Sequence, residues 1–337
     1  MGSPRGQEDV LSTLDPRVAS VIREANDADG VPFRARAGHL HHTWAKTFAS
    51  SPELYIQPES QAEIEKVVSL ARRLRRRVSL VGCGHSPSDL TCTSGWLINL
   101  DGYGRILSLD RATGVVVMQS GIRLFALAEE LDRAGLAMPN LGSINDQSVA
   151  GVISTGTHGS SLRHGLLSDD GYVEHGIPFS AEGLYVHAPV EVRVSDTRNG
   201  SLKTDGGGGC RPWLDPTVPD GPTLYLNATL YRPYLRDPPS LERYYEAFEW
   251  LMRDLGGRPH WAKNFRFADM ESLYGDDLRR WREVRDRADP EGMFVGAWHR
   301  RFVLGQGEPL PLEEVEVERR TMDRNGVRVF GAVGEKR

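Results

Sequence analysis

The stretch VGCGHSPSD, residues 81–89, follows an apolar run and is rich in small residues. The apolar residues Val78, Leu80 and Val81 predict a buried strand, and the glycines after them predict a tight turn. Because glycine has no Cβ and adopts positive φ readily, such a turn can bring backbone N–H groups close to a pyrophosphate. The stretch therefore predicts a strand that ends at a phosphate-binding loop.

A second stretch, LGSINDQSVAGVISTGTHGSS at residues 141–161, repeats this composition and adds several hydroxyl side chains. Two such loops could hold a dinucleotide from both sides. Neither stretch has the GK[ST] ending of an NTPase loop or the G-x-G-x-x-G spacing of a nicotinamide-binding fold. One stretch alone is better explained as an ordinary turn between strands, but the pair, with His85 inside the first, favours a cofactor site. The candidate cofactor-binding residues are Gly82, Cys83, Gly84, His85, Ser86, Pro87, Gly142, Ser143, Gly151, Ser154, Gly156, Thr157, His158 and Gly159.

The segments GHSPSDLTCT and GSINDQSVAGVISTGTHGSSLRHG, which begin at Gly84 and Gly142, resemble the aldonolactone oxidases of the vanillyl-alcohol-oxidase flavoprotein superfamily. Within that family the chain is most similar to the fungal D-arabinono-1,4-lactone oxidases. The resemblance extends to APVEVRVSD at 188–196, DPTVPDGPTLYLNATLYRPY at 215–234, GGRPHWAKNF at 256–265 and DPEGMF at 289–294. It implies that FAD is the cofactor and that His85 carries the covalent 8α link to the flavin.

The fold class that the resemblance implies is α+β. A PCMH-type FAD-binding domain is built from two α/β subdomains, and an α+β substrate domain follows it. The chain departs from this pattern after about residue 170, where HGLLSDD runs directly into GYVEHGIPFSAEG, which resembles a much later part of the family. Most of the second subdomain is then missing, which would leave strand edges unpaired. The predicted parts are an N-terminal extension over 1–43, an incomplete FAD-binding domain over 44–170, part of the substrate domain over 171–305, and a tail over 306–337.

The segment PVEVRVS alternates valines with polar residues, which is the pattern of a half-buried strand. Glu191 and Arg193 then share one face. If that face lines a flavin cavity, Arg193 stabilises the anionic reduced flavin and Glu191 accepts hydrogen bonds from the substrate. The alternative is a pair of solvated charges on the outer face of a sheet. His260 and Lys263 are the next catalytic candidates on the strength of the resemblance. The alternative is that Lys263 is a surface lysine whose charged end reaches solvent.

Composition excludes several classes of function. The chain has 337 residues, enough for roughly two domains, and 41 basic against 46 acidic residues, so bulk charge predicts no nucleic-acid partner. Three cysteines form no C-x-x-C pair, which indicates neither a disulfide framework nor a zinc site and favours an intracellular location. His39, His41 and His42 are predicted to be surface residues of a loop, and no metal site is expected. The N-terminus resembles no targeting peptide, and no apolar run is long enough to span a membrane. Mitochondrial and peripheral membrane association is implied by the resemblance alone.

Several secondary-structure elements can be placed from the pattern. Pro58 and Ser60 open a helix that ends in the basic run 72–77, which suits the negative end of a helix dipole better than a nucleic-acid stripe. Strands are predicted at 96–100 and 115–119, and helices at 124–134, 241–255 and 276–287. The resemblance implies a tryptophan-containing strand before the flavin domain, which Trp44 matches. The Gly- and Pro-rich segment 197–222 is predicted to be a surface insertion.

The leading hypothesis is an FAD-dependent oxidase of a sugar-derived lactone. By resemblance, the substrate hydride passes to the flavin, oxygen reoxidises the flavin to give hydrogen peroxide, and D-arabinono-1,4-lactone gives an ene-diol of the erythroascorbate type. The alternative from a different class is a non-catalytic remnant or a misassembled gene product that retains motifs without a complete cavity. A third hypothesis is an FAD-linked alditol oxidase, which a substrate panel would distinguish.

Overall fold

A computed structural model describes residues 10–138, 141–159, 191–196, 212–218, 221–230, 236–237, 241–266, 268–306, 321–322 and 328–330. The chain divides into two compact units. The first unit comprises Met1–Leu127, Ser148–Ala150 and Arg285–Arg337, and the second comprises Ala128–Gln147 and Gly151–Val284. The C-terminal segment therefore returns to the unit that contains the N-terminus, so each unit is built from segments distant in sequence.

Helices and strands are mixed along the chain, which confirms the predicted mixture of α and β structure. The helices are α1 (Pro16–Asp29), α2 (Gln61–Arg73), α3 (Leu124–Arg133), α4 (Val149–Ser154), α5 (Leu241–Asp254), α6 (Met270–Ala288) and α7 (Ala297–Phe302). The strands are β1 (Ala35–Arg36), β2 (His41–His42), β3 (Phe48–Ser50), β4 (Leu54–Ile56), β5 (Val78–Val81), β6 (Trp96–Asn99), β7 (Ile106–Leu109), β8 (Val116–Met118), β9 (Glu191–Ser195), β10 (Thr223–Asn227), β11 (Thr321–Met322) and β12 (Arg328–Phe330).

The main sheet of the first unit has the strand order β1-β4-β6-β5. Strands β4, β6 and β5 are parallel, and β1 joins the edge antiparallel to β4. Helix α2 connects β4 to β5, as expected for a parallel crossover. Parallel strands covered by helices have long apolar runs, and all four residues of β6 are buried. The stretch 82–89 directly follows β5. It therefore leaves the sheet at the edge where the parallel strands β4, β6 and β5 all end.

The core of the first unit lies between this sheet and helices α1 and α2. Trp96 is fully buried, its ring lies 5.6 Å from that of Phe33, and its indole N–H donates to Glu53 at 3.0 Å. Val18 and Ile22 of α1 belong to the same cluster. Residues assigned from sequence to an N-terminal extension thus contribute to this core. The core includes residues on both sides of position 43.

Helix α2 has the termini that the sequence predicts. The Ser60 side chain accepts a hydrogen bond from the Glu63 N–H, and the Glu63 carboxylate accepts one from the Glu59 N–H, so the first turn is capped in the manner of an S-x-x-E capping box. At the other end, Arg72 and Arg73 lie in the last turn. Three arginines of the basic run pair with carboxylates: Arg72 with Glu291, Arg73 with Glu24, and Arg76 with Glu53. These ion pairs support the interpretation of the run as a helix end.

The first unit holds two smaller β structures. The strand order of the second sheet is β11-β12-β3-β2, with β12 parallel to β3. Strands β7 and β8 form an antiparallel hairpin. Trp44 lies in the turn between β2 and β3 and is 64% exposed, so the prediction of a strand at Trp44 is wrong. His41 is buried in β2, which corrects its prediction as a surface loop residue.

The second unit contains the antiparallel pair β9–β10, in which Arg193 lies opposite Tyr225. Helix α5 ends before Gly256, which adopts φ 69°, as the sequence predicts. Helix α6 begins before the predicted residue 276 because two helical segments adjoin at Gly275, whose φ of 46° breaks the regular backbone. Most of the predicted insertion 197–222 lies outside the described residues, but Asp215 and Thr217 are buried, so at least this part is not a surface insertion. Among the described helices, none has the length and apolar character needed to cross a membrane.

Candidate functional site

The first candidate loop, residues 82–88, leaves the carboxyl end of β5 in the first unit. Gly84 adopts φ 68°, in the left-handed region where glycine is favoured. The Gly82 carbonyl accepts a hydrogen bond from the Asn99 side chain at 3.1 Å. A Cβ placed on Gly82 would lie 2.1 Å from the Ser148 hydroxyl oxygen. The lack of a side chain at Gly82 is therefore explained by close packing against Ser148, whereas the sequence argument attributed it to a phosphate.

The turn between β2 and β3 contacts this loop on both sides of His85. The Trp44 N–H donates to the Gly84 carbonyl at 2.8 Å, and the Thr47 hydroxyl donates to the Pro87 carbonyl at 2.9 Å. The Trp44 and His85 rings stack with centroids 4.8 Å apart and planes 26° from parallel. His85 is partly exposed, and the stacked indole holds one face of its imidazole. The contact joins residues far apart in sequence, and no local pattern could have revealed it.

The far end of the loop is fixed by the C-terminal segment of the same unit. Asp89 is buried and forms an ion pair with Arg301 of α7 at 2.8 Å. The Val78 N–H donates to the Met293 carbonyl at 3.0 Å, so the segment also adjoins the strand that precedes the loop. Neither Asp89 nor Arg301 was singled out from sequence. The C-terminal segment thus contacts the strand before the loop, at Val78, and the far end of the loop, at Asp89. The Trp44 turn contacts the loop between these points, at Gly84 and Pro87.

His41 lies under the loop rather than on the surface. Its Nε2 lies 2.9 Å from the Thr91 hydroxyl oxygen. A Cβ placed on Gly84 would lie 3.5 Å from Cε1 of the His41 ring. Burial lowers the pKa of His41 to about 4, with smaller effects from the charges of His39 and His42. His41 is therefore neutral near neutral pH and acts as a packing and hydrogen-bonding residue.

The second stretch of the sequence is partly helical. Gly151 and Ser154 lie in helix α4, which corrects the prediction that they belong to a loop. A Cβ on Gly142 would lie 3.0 Å from the Thr157 methyl group, so this glycine too is explained by close packing within its unit. Gly156 adopts φ 66°, which fits the end of a short helix. The described loop residues are thus those on either side of α4.

Six of the predicted site residues come together in the second unit: Ser143, His158, Gly159, Arg193, His260 and Lys263. The His158 ring stacks on Tyr225, with centroids 3.9 Å apart and planes 15° from parallel, and lies 5.4 Å from the His260 ring. Arg193 donates to the Ser143 hydroxyl at 3.0 Å and to the Gly159 carbonyl at 3.5 Å. These residues, together with Lys263, whose charge acts on His158, are called the His158 cluster. They come from four stretches of the chain, at residues 143–159, 193, 225 and 260–263, so the sequence motifs meet in space within this unit.

His260 has a defined proton position. Its Nδ1 accepts a hydrogen bond from the Ala262 N–H at 3.1 Å, so the ring proton is on Nε2, which donates to the Gly156 carbonyl at 3.0 Å. Burial lowers the pKa of His260 to about 4, and the charge of Lys263 lowers it further. The ring is therefore neutral near neutral pH. In this state it fixes the backbone around Gly156 and does not serve as a proton acceptor.

The charge balance of the cluster is positive. Burial lowers the pKa of His158 to about 2, with further lowering by the charges of His260, Arg193 and Lys263. Lys263 itself is exposed. Two permanent cations therefore act on a pair of neutral imidazoles, an arrangement that favours negative charge on a bound oxygen.

Glu191 and Arg193 occupy alternate positions of β9, so their backbone positions share one face, as predicted. The side chain of Glu191 lies outside the described part of the structure. Sequence reasoning missed Tyr225 and Ser195, whose oxygens lie 2.9 Å apart across the β9–β10 pair. Tyr225 stands opposite Arg193 in this pair, and a strand pattern around TLYLN was the signal that could have identified it.

Comparison with known proteins assigns both parts of the chain. A model of an FAD binding domain matches residues 52–170, and a model described as D-arabinono-1,4-lactone oxidase matches residues 169–302. A putative D-arabinono-1,4-lactone oxidase of Neurospora crassa is 36% identical over 528 residues, covering 91% of this chain and 94% of that protein. The D-arabinono-1,4-lactone oxidase of Yarrowia lipolytica is 27% identical, covering 77% of this chain and 96% of that protein.

Further matches are partial. The L-gulonolactone oxidase of Mus musculus is 45% identical over 131 residues, which is 39% of this chain and 30% of that protein. A crystal structure of cholesterol oxidase from B. sterolicum shares 17% identity with a TM-score of 0.34 over 40% of this chain and 26% of that one, a similarity too low to support an argument about the fold. The full-length match to the Neurospora crassa protein decides the assignment: the chain belongs to the D-arabinono-1,4-lactone oxidase family.

Proposed function

We propose that this chain binds FAD and oxidises a sugar-derived 1,4-lactone, with D-arabinono-1,4-lactone as the first candidate and dioxygen as the electron acceptor. The observation that carries the proposal is the His158 cluster, in which Arg193, His158, His260 and Lys263 act on one another within one unit. The names of the relatives supply the substrate class, and the FAD binding domain match supplies the cofactor.

The residues of the first unit that would hold the cofactor are those of the loop 82–87. The loop follows a parallel strand, has a left-handed glycine at Gly84, and presents partly exposed small residues and a partly exposed imidazole. This combination fits a flavin nucleotide, although packing against Ser148 accounts for the glycine at position 82. We propose His85 as the point of covalent attachment. Bound FAD would supply a two-electron acceptor.

The residues of the second unit would act on the substrate. The carbon that gives up its hydride carries a hydroxyl group, and loss of the hydroxyl proton to solvent develops negative charge on that oxygen, which the cations of Arg193 and Lys263 would stabilise. His260 keeps the Gly156 backbone in place through its Nε2–H. We propose that Glu191, on the same face of β9 as Arg193, accepts hydrogen bonds from substrate hydroxyls. Neutral His158 presents an apolar face against Tyr225 and carries no charge that would oppose the cations.

We also propose that the chain lacks most of the second subdomain of its relatives. The alignment with the Neurospora crassa protein runs over 528 residues, whereas this chain has 337. The two family models adjoin at residues 169–170, which supports placing the gap there. Mitochondrial membrane association, which the resemblance implies, is a further proposal that cell fractionation would test.

The test is a substrate panel with the purified full chain supplemented with FAD. Hydrogen peroxide release would be followed with D-arabinono-1,4-lactone, L-gulono-1,4-lactone and an alditol. We expect turnover with a lactone and a loss of roughly a hundredfold or more in Arg193→Met, because that variant removes a charge from the oxygen-stabilising site. The matched control is Arg279→Met, an arginine of the same unit that pairs with Asp276 and Glu283 on the surface of α6. Absence of bound flavin together with no turnover on any lactone would contradict the proposal.

A further inference from the structure

We propose that the turn Trp44–Thr47 positions His85 for attachment to the flavin, with Trp44 as the principal positioning residue. The inference rests on the proposed function, since it concerns how the cofactor becomes linked. It goes beyond that function by assigning a role to a turn that no motif singled out. The turn and the loop both belong to the first unit.

The contacts of the turn flank His85 along the chain. Trp44 binds the carbonyl of Gly84, the residue before His85, and Thr47 binds the carbonyl of Pro87, two residues after it. Both hydrogen bonds have ordinary lengths, 2.8 and 2.9 Å. Two backbone anchors this close to one residue fix the direction in which its side chain leaves the loop. The third contact, the stacked indole, acts on the imidazole itself.

Core packing does not explain Trp44. Its side chain is 64% exposed, whereas Trp96 and Trp298 of the same unit are nearly or fully buried. A large aromatic residue in an exposed turn contributes little hydrophobic burial, so its contact with the neighbouring ring is the feature that needs an explanation. The stack leaves one face of the indole open and covers one face of the imidazole.

Stacking on a face of the His85 ring acts away from the ring nitrogens. The lone pair of an imidazole nitrogen lies in the plane of the ring, and Trp44 covers a face with planes 26° from parallel. The indole therefore restricts rotation of the ring without shielding its nitrogens. Attachment joins an imidazole nitrogen to the 8α carbon of the flavin. The 8α carbon would lose a proton and two electrons, the imidazole nitrogen would lose a proton, and dioxygen would accept both protons and both electrons as hydrogen peroxide.

The experiment measures how much flavin becomes acid-stable in the full chain expressed with excess FAD. Total flavin is read from the native protein, and covalent flavin from the acid precipitate. We expect Trp44→Ala to retain total flavin while the rate of attachment falls roughly tenfold or more, because a misplaced reacting atom slows a step steeply. Trp44→Phe should restore most of the rate. Thr47→Val, which loses one anchor, should show a smaller reduction. Trp250→Ala removes a half-exposed indole of the second unit and should change nothing.

A second readout does not depend on the cofactor. In the flavin-free protein, the ring protons of His85 should resonate upfield because of the stacked indole, and Trp44→Ala should remove that shift; His85→Ala assigns the signals. An unchanged attachment rate in Trp44→Ala would overturn the inference and leave the proposed function intact. Equal losses of total and covalent flavin would also overturn it, because they would indicate a general role in loop stability. No acid-stable flavin in the unsubstituted chain would contradict covalent attachment itself.

Discussion

The loop 82–89 and the His158 cluster are held together in different ways. The loop depends on contacts from distant segments, namely the turn at Trp44 and the C-terminal segment with Arg301. The cluster depends largely on one pair of adjacent strands, β9 and β10, and on backbone carbonyls near Gly156. The loop exposes a single imidazole, whereas the cluster surrounds neutral imidazoles with cations. The difference suits an attachment point in one unit and a charge-stabilising surface in the other.

The largest expected effect concerns the far end of the loop. In Arg301→Met the buried Asp89 carboxylate loses its ion pair, and we expect the free energy of unfolding of the first unit to fall by about 2–3 kcal/mol. This expected loss is smaller than the loss on breaking a fully buried ion pair, because the Arg301 side chain is 28% exposed. Urea denaturation followed by tryptophan fluorescence measures it.

The control for that prediction is Arg72→Met. Arg72 also pairs with a carboxylate of the C-terminal segment, Glu291, but both side chains are more than half exposed. Exposed ion pairs contribute about 1 kcal/mol or less. Equal losses in the two variants would show that the C-terminal segment does not hold the loop through Asp89.

The next effect concerns pH and the cluster. The folded-state pKa values of His158 and His260 lie below the ordinary value of 6.5, so the unfolded chain binds protons that the folded chain does not. Their contribution to stability is complete above about pH 6.5 and is lost as the pH falls through the folded-state pKa, about 4 for His260 and about 2 for His158. We expect each to reduce the free energy of unfolding by about 1–2 kcal/mol between neutral pH and about pH 5.

His41 and His299 of the first unit have pKa values lowered in the same direction, so the pH dependence of the whole chain does not isolate the cluster. His260→Gln does, because it removes one titrating group from the second unit. Unfolding titrations of this variant should show a flatter dependence over that pH range. A slope identical to that of the unsubstituted chain would mean that His260 is not buried in its neutral form.

The smallest effect concerns the pair that sequence reasoning missed. Tyr225→Phe keeps the ring that stacks on His158 but removes the hydroxyl that bonds to the fully buried Ser195. We expect a loss of about 1 kcal/mol in the free energy of unfolding. A double-mutant cycle with Ser195→Ala measures the coupling. Strictly additive losses would show that the two hydroxyls do not interact.

Local patterns predicted the elements that local physics decides. The strand β5 and the turn after it follow from an apolar run and glycines, and α2 begins at Ser60 because that side chain caps the first turn. The ends of α3 and α5 were placed within one residue because a glycine with positive φ, Gly135 or Gly256, follows each helix. The mixed α and β fold and the FAD-binding character of residues 52–170 are likewise confirmed. The division into two subdomains and the roles of individual site residues stay predictions.

Contacts between distant segments decided the rest. Gly82 is a glycine because Ser148 packs against it, and no pattern within residues 81–89 contains that information. His41 is buried because β2 pairs with β3 beneath the loop, although three histidines within four residues have the composition of a surface turn. Trp44 lies in a turn, and its indole contacts His85. The partners of Gly82 and Trp44 lie dozens of residues away, and the His41 ring lies beside Thr91, 50 residues on.

The most direct test of the account is the visible absorbance of the purified chain before and after acid precipitation, beside that of His85→Ala. The account predicts flavin absorbance that stays with the precipitated protein, and a colourless precipitate from His85→Ala. A colourless precipitate from the unsubstituted chain, or equal covalent flavin in both, would contradict the claim that the loop 82–87 links FAD through His85.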